Sequence, residues 1–421
     1  MDYRRRSVWW QSGTPGVHLN HSNPNLMFKI ILCFCANIIC FLNRVNISIA
    51  APFMMNYFGW DENQMGAVFS AFFFGYVIFM IPGGLLADRF GSNKVLASGV
   101  VFWSLFSFLT PFFAGIWSMS FCRYLIGTGQ GVHYPSINNF IAHKVPFSDR
   151  AKVQGFTLSG NTIGVVLGLP LGSWIILNWG WPSIFYVFGL IGIIWLIFWI
   201  YFTKDEFSNL SPMPKQRRGP VPWKRLLTHR SSLGLTLSYF CHNYAAYMFL
   251  AWLPTYLIKV HGLSLTATGI ATTAPPLASA ITMNISGWLS DSLIKKGKSR
   301  EFSRKFLLFI GMGLSGCLLL TLIWLRNPYT IIAFLTLSSA ARAISSPIYW
   351  ALSVDMAPNH AGFLSSIMNT SGNVAGIVAT ALTGWLVATF ADWNLAILIS
   401  SATTLLGAAI TLPTIRTSAI V

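Results

Sequence analysis

Acidic residues are scarce in this chain: 11 stand among 421 positions, against 28 lysines and arginines, so the formal net charge is +17. All charged residues together make up only 9% of the sequence, while 54% is hydrophobic and the mean hydropathy is +0.59. Soluble globular domains carry about 25% charged residues, so this composition excludes one and points to a polytopic membrane protein. Cysteine is also sparse. Cys33, Cys35, Cys40, Cys122, Cys241 and Cys317 lie in or beside apolar runs without the paired spacing of a metal site, and they read as small core residues rather than disulfide partners or ligands. The sequence shows no metal-ligating cluster and no nucleophile beside a base, so it calls for no cofactor and no enzymatic chemistry. The basic excess does not imply nucleic acid, because the lysines and arginines sit in short loops between apolar runs.

Hydrophobic runs are what the chain has in abundance, and about 20 apolar residues span a bilayer core. They fall near 27–56, 64–87, 95–115, 117–141, 153–177, 183–203, 233–258, 265–290, 306–325, 329–354, 361–388 and 392–415. An all-α integral membrane protein of twelve transmembrane helices is expected. Helices satisfy their backbone groups within each run in lipid, and the runs are too long and uniformly apolar for barrel strands. Arg4, Arg5, Arg6, Lys29, Arg89, Lys94, Lys144, Arg150, Lys152, the 204–230 cluster, Lys295 to Lys305 and Arg416 fall on one side. The other side has Lys259 and Arg326 with Asp61, Glu62 and Asp392. The positive-inside rule then makes both termini cytoplasmic, and the expected membrane is a plasma membrane of the bacterial inner-membrane type. The expected organisation is a cytoplasmic tail over 1–26, a six-helix bundle over 27–203, a cytoplasmic linker over 204–232 and a second six-helix bundle over 233–416.

The two halves are related by sequence. Ser159-Gly160-Asn161 with Gly164 and Gly172 in the fifth run reappears as Ser371-Gly372-Asn373 with Gly376 and Gly384 in the eleventh, at identical spacing. Gly84 and Asp88 after the second run are matched by Gly287 and Asp291 after the eighth. Duplicated six-helix units mark transporters whose site lies between the halves near the midplane.

Three arginines stand inside apolar runs: Arg44, Arg123 and Arg342. An arginine at the bilayer centre costs roughly 2.5–3.5 kcal/mol on insertion scales, so such residues normally face a protein interior or a wet cavity. Every acidic residue falls at a run end or in a loop, which leaves the three without an evident carboxylate partner. A small anionic solute would supply the missing charge; snorkelling toward backbone carbonyls or lipid phosphate is the alternative. At 3.6 residues per turn Arg123, Gly127, Gln130 and Tyr134 share one helix face.

The segment Gly84-Leu-Leu-Ala-Asp88-Arg89-Phe-Gly91-Ser-Asn-Lys94 resembles the loop signature of the major facilitator superfamily, G-x-x-x-D-R-x-G-x-x-K. The resemblance narrows at Asn43-Arg44-Val-Asn-Ile-Ser, Phe-Phe-Gly75-Tyr76, Arg123 to Ser136, Cys241-His242-Asn243 and Ala-Pro358-Asn-His-Ala-Gly362, which look like the anion:cation symporter family. That family includes vesicular glutamate transporters, sialin, plastid phosphate-type carriers and bacterial sugar-acid transporters. The resemblance implies that Arg44 and Arg123 bind a substrate anion and that Tyr76, Asn161, Asn369 and His242 contribute polar contacts. Gly84, Asp88, Arg89, Gly91 and Lys94, with Gly287 and Asp291, would form gating latches. Gln130, Asn43, Tyr134 and Trp350 are further wall candidates, and Arg342 is a basic residue outside the family pattern. Interhelical packing is the alternative for the lone asparagines, histidine and aromatic residues.

Two positions depart from that pattern. The bacterial sugar-acid carriers have Asp and Glu, tied to proton coupling, where this chain has Asn43 and Gln130, and neither amide titrates. The expected function is a carrier of a small organic anion working as a uniporter or exchanger, or through another ion such as Na+. The alternatives are proton symport through His133 or His242, and a non-transporting membrane sensor.

Overall fold

The structure, a computed structural model, describes residues 24–146, 149–208, 222–358, 360–416 and 420. Residues 1–23 of the expected tail and 209–221 of the expected linker lie outside the described residues. Among the described residues all regular structure is helical. The first half contains α1 (Pro24–Phe58), α2 (Glu62–Phe90), α3 (Ser92–Leu109), α4 (Ile116–Gly131), α5 (His133–Lys144), α6 (Arg150–Trp179) and α7 (Trp181–Ser208). After the short α8 (Trp223–Thr228) come α9 (Arg230–Lys259), α10 (Leu265–Ala271), α11 (Ala274–Lys295), α12 (Arg300–Thr321), α13 (Pro328–Ala343), α14 (Ser346–Met356), α15 (Ala361–Phe390) and α16 (Trp393–Thr414).

The fourth, eighth and tenth runs, which the hydropathy pattern presents as continuous, are each divided into two helices. α4 ends at Gly131, α10 at Ala271 and α13 at Ala343, and each end lies four residues before a proline, at Pro135, Pro275 and Pro347. Proline offers no N–H to the carbonyl four residues back and its ring crowds that carbonyl, so the ladder stops there. Proline alone does not suffice, since Pro82, Pro170 and Pro254 remain inside α2, α6 and α9. At the three breaks the poor helix formers Gly129 and Gly131, Thr272 and Thr273, and Ser345 and Ser346 weaken the same turn. The breaks in the fourth and tenth runs occupy equivalent places in the two halves, and each follows an arginine, Arg123 buried and Arg342 half-buried.

Among the described residues nine stretches are long and apolar enough to cross a membrane on their own. The other three, α4 with α5, α9, and α10 with α11, carry Arg123, Gln130 and His133, then His242 and Asn243, then Ser279 and Asn284, which lower their hydropathy. Of these, α4, α9 and α11 contribute residues to the cavities described below. Large apolar side chains such as Ile197, Phe198, Leu314 and Leu406 face outward, as they do when the solvent is lipid.

The halves meet along α2 and α15, which run antiparallel. A Cβ on Gly66 would lie 3.2 Å from the Gly384 Cα, one on Gly376 would strike the Phe73 ring, and Asn369 reaches Met80 at 3.5 Å. Lys259 and Glu62 close the same end with an ion pair at 2.7 Å. Further along, a side chain on Gly84 would touch only Pro135 of its own half, while Gly287 and Gly362 face open space. The halves are therefore in close backbone contact at the Glu62 end, while these glycines toward the basic end that bears Arg89 and Lys94 make no such contact.

Candidate functional site

α2 and α4 are in backbone contact where Gly75 meets the Tyr124 carbonyl and Gly127 meets the Phe72 carbonyl; a Cβ at either glycine would collide. That close approach sets the Phe72 ring between two arginines, with the Arg44 ζ carbon 5.2 Å and the Arg123 ζ carbon 5.1 Å from its centroid. Arg44 also lies over Phe41 at 4.7 Å and Tyr76 at 5.0 Å. Aromatic faces attract a guanidinium without neutralising it.

Arg44 donates through Nε and Nη2 to Gln130 Oε1 at 3.3 and 3.2 Å. Gln130 Nε2 donates to the Cys40 carbonyl at 3.1 Å, which turns the amide oxygen toward the arginine. Arg123 is 2% exposed, and its Nε and Nη1 have no hydrogen-bond partner. Ion pairs elsewhere join Lys152 to Asp149, Lys259 to Glu62, Arg304 to Asp355 and Lys305 to Glu301. Among the described residues no carboxylate pairs with Arg44 or Arg123. Both arginines line a small cavity of about 20 Å³, together with Ser48, Phe72 and, from the other half, Tyr247 and Leu250. Such a volume holds little more than one water, so an anion enters only as the walls move apart.

A larger cavity of about 310 Å³ lies between α6 on one side and α9, α11 and α13 on the other, lined by Asn161, Asn243, Tyr247, Ser279, Ser338 and Arg342. Tyr247 and Leu250 border both cavities. Arg342 Nη1 lies 3.2 Å from His242 Nε2. Guanidinium nitrogens only donate, so Nε2 accepts and the imidazole is the neutral Nδ1–H form. His242 Nδ1 has no partner, and the ring stacks on Tyr239 at 5.8 Å. His242 lines neither cavity; it supports Arg342 from behind.

The other candidates scatter. Tyr76 is buried under Arg44, and the Tyr134 phenol is within electrostatic reach of the same guanidinium. Asn161 lines the larger cavity, while its Oδ1 is buried without a hydrogen-bond partner. Asn369 accepts from Asn373 and donates to Met80, tying α15 to α2. Asn43, by contrast, donates to the Ile39 carbonyl at 3.0 Å and the Phe188 carbonyl at 3.2 Å, facing α7 rather than the arginines. His133 bonds Asn37 at 3.1 Å. Trp350 is 43% exposed, beside Tyr239. The sequence did not single out Phe72 or Tyr247. Tyr247 donates to Asn373 Oδ1 at 3.0 Å, and its ring lies tilted against Phe73, centroids 4.5 Å apart. Its one visible sign was the helix stripe Asn243, Tyr247, Leu250 and Pro254, spaced four, three and four residues apart.

At the basic end, Asp88 accepts from Asn139 Nδ2 at 2.6 Å and forms no ion pair with Arg89 or Lys94. Arg89 lies over Phe90, and Gly91 ends α2 at φ 89°, a conformation that favours glycine. Gly84 and Gly287 have room around them, and the Asp291 side chain lies outside the described residues. In the second half an ionic link joins Arg304 Nε to Asp355 Oδ2 at 3.4 Å, with Arg304 Nη1 donating to Ser290 at 2.8 Å.

Comparison with known proteins gives consistent matches. The family described as Major Facilitator Superfamily matches residues 33–379 and, separately, 298–419. The probable anion transporter 4, chloroplastic, of Oryza sativa subsp. japonica is 35% identical over 401 residues, 91% of this chain; the chain spans 66% of that protein's length, just under two thirds. The ascorbate transporter, chloroplastic, of Arabidopsis thaliana is 34% identical over 396 residues, covering 90% of this chain and 71% of that protein. Among solved structures, a bacterial homolog of the human lysosomal transporter Spinster, in an inward-facing and occupied conformation, superposes with a TM-score of 0.80 at 16% identity, covering 93% of this chain and 97% of that one.

Proposed function

The chain belongs to the major facilitator superfamily, and from that membership we propose that it carries a small organic anion across a membrane by alternating access, with the anion held between Arg44 and Arg123. The observation that carries this reading is the pair of buried guanidinium groups facing one cavity without a carboxylate partner among the described residues. Two uncompensated cations in low dielectric favour an anion strongly, and a guanidinium can grip a carboxylate through two parallel hydrogen bonds. The relatives' names, anion transporter and ascorbate transporter, support a carboxylate or sugar-acid-like substrate.

The six-helix units are residues 27–203 and 233–416, moving about the site between them, with the basic segment 204–232 as linker. Gly84, Asp88, Arg89, Gly91 and Lys94, with Gly287 and Asp291, form the gating region. The charge asymmetry supports a basic end in the cytoplasm of a plasma membrane, so substrate meets the site from the cytoplasmic side when the halves diverge there. Asn43 and Gln130 do not titrate, and His242 accepts from Arg342 as a neutral ring. These features support uniport, exchange or coupling to an ion other than the proton. Reconstitution in liposomes tests the function: radiolabelled organic anions enter with wild-type protein and not with R44A or R123A. Equal uptake by wild type and both variants overturns the assignment.

A further inference from the structure

Lys295, Lys296, Lys298, Arg300, Arg304 and Lys305 crowd the loop before α12 and its first turns, with Glu301 the one acid among them. Two of these cations are committed to internal contacts. Arg304 joins Asp355 and Ser290, while Lys305 Nζ pairs with Glu301 Oε1 at 2.7 Å and donates to the Leu412 carbonyl at 3.2 Å, tying the start of α12 to the end of α16. Lys298 and Arg300 are exposed, and among the described residues no carboxylate pairs with either. Arg300 and Lys305 head an open groove of about 650 Å³, whose remaining wall is mainly Phe302, Phe306 and Phe309 of α12 with Leu412 of α16. Lys298 reaches its edge, with Nζ 5.8 Å from the centroid of the Phe302 ring. The Phe302 and Phe306 rings stack at 5.5 Å. Phe302, Phe306, Ile310 and Leu314 are all exposed and follow one another at four-residue spacing, so they form one stripe running from the groove into the membrane span. The groove thus joins a cationic mouth at the basic end of the molecule to an apolar track on its lipid-facing surface. A soluble anion matches only the mouth, and a neutral acyl chain matches only the track.

We propose that this groove holds an anionic phospholipid, its phosphate on Arg300 and Lys298 and an acyl chain along Phe302, Phe306 and Phe309. A guanidinium grips a phosphate through two parallel hydrogen bonds, and basic pockets between membrane helices take anionic headgroups. A zwitterionic headgroup brings a cation of its own, which the unpaired Lys298 and Arg300 repel, so the site selects net negative charge. The lipid rests on the junction that Lys305 makes between α12 and α16, and a ligand bound to the folded state stabilises it. This site is on the outer face of the second half, apart from the Arg44 and Arg123 pocket, and does not depend on which substrate is carried.

Thermal stability of the purified full chain in a neutral detergent tests the proposal, with dioleoyl phosphatidylglycerol, dioleoyl phosphatidylcholine or the deacylated headgroup glycerophosphoglycerol added in increasing amounts. Phosphatidylglycerol is expected to act at concentrations about twentyfold lower than phosphatidylcholine, as for two cations worth about fivefold each, and the deacylated headgroup to have no effect. K298Q/R300Q is expected to melt like wild type without lipid and to respond equally to the two lipids. K224Q/R225Q, which removes the same charge from exposed positions of α8, is expected to keep the preference. F306A is expected to weaken both lipids and keep their ratio. Equal response of wild type to the two lipids overturns the proposal. Equal loss of preference in both double variants also overturns it, since a basic surface would then attract anionic lipid without a site. A response to glycerophosphoglycerol as strong as to the lipid would place a soluble-phosphate site there instead, and unchanged lipid binding in F306A would remove the groove from the account.

Discussion

Arg44 and Gln130 meet through a single oxygen: Nε and Nη2 of the arginine both donate to Gln130 Oε1, at 3.3 and 3.2 Å. The amide fixes the orientation of the guanidinium and leaves its charge intact, since a neutral acceptor cannot offset it. A carboxylate in the same place would form an ion pair and compete with any substrate anion.

Q130E tests that relationship. Raising the pH ionises the introduced carboxyl group, which then occupies Arg44, so anion affinity should fall with pH; lowering the pH protonates it and restores binding. Wild type lacks this titration, because the Gln130 amide keeps its neutral form throughout. At neutral pH the variant should bind about tenfold or more weakly, as expected for an internal carboxylate competing at one guanidinium. Affinity measured at two pH values in both proteins checks this, and an identical pH profile would show that the residue does not act through charge.

Arg123 has two buried nitrogens without partners, so its removal relieves a cost of burial while deleting the anion contact. R123A should therefore purify as well as wild type, with equal or higher thermal stability, and lose anion binding by about a hundredfold or more. R123K should restore little, because an ammonium group cannot reproduce the bidentate grip. Recovery of near-normal affinity in R123K would show that charge alone suffices.

The clamp at the Glu62 end depends on backbone approach more than on its ion pair. Gly66 and Gly384 leave no room for side chains, whereas the Lys259 side chain of the Lys259–Glu62 pair is 38% exposed. G66V should force the ends of α2 and α15 apart and raise the labelling of cysteines placed at that end, while K259A should alter labelling little, as partly exposed pairs contribute about 0–1 kcal/mol. The reverse order of effects would assign the closure to the ion pair.

Asp88 holds Asn139 at 2.6 Å, joining the end of α2 to α5. D88N retains an oxygen that accepts the same hydrogen bond, and D88A does not. If the hydrogen bond is what matters, transport rate should fall in D88A and be largely kept in D88N; equal loss in both would place the role in the negative charge.

Proton coupling has its own test. In proteoliposomes an imposed pH difference alone should not drive accumulation of the anion against its gradient. Accumulation that disappears in H133Q or H242Q would establish histidine-based symport.

The chain's amino-acid order alone determined the helical membrane class, the duplicated halves and the presence of buried arginines, because these follow from composition and periodicity. Apolar runs of bilayer length have one satisfactory form in lipid, and the repeated Ser-Gly-Asn and Gly-to-Asp spacings survive in the order of residues. The helix breaks were also encoded, in Pro135, Pro275 and Pro347, but Pro82, Pro170 and Pro254 carry the same local signal without a break, so packing had to choose among them. Contacts across the bundle belonged to the tertiary structure alone. Asn43 and Arg44 are neighbours in the chain, yet one turns toward Phe188 and the other toward Gln130, since adjacent helical positions point about 100° apart. Phe72 becomes the plate between two arginines only because Gly75 and Gly127 let two backbones touch, and Tyr247 borders two cavities only because two halves, distant in sequence, close around it.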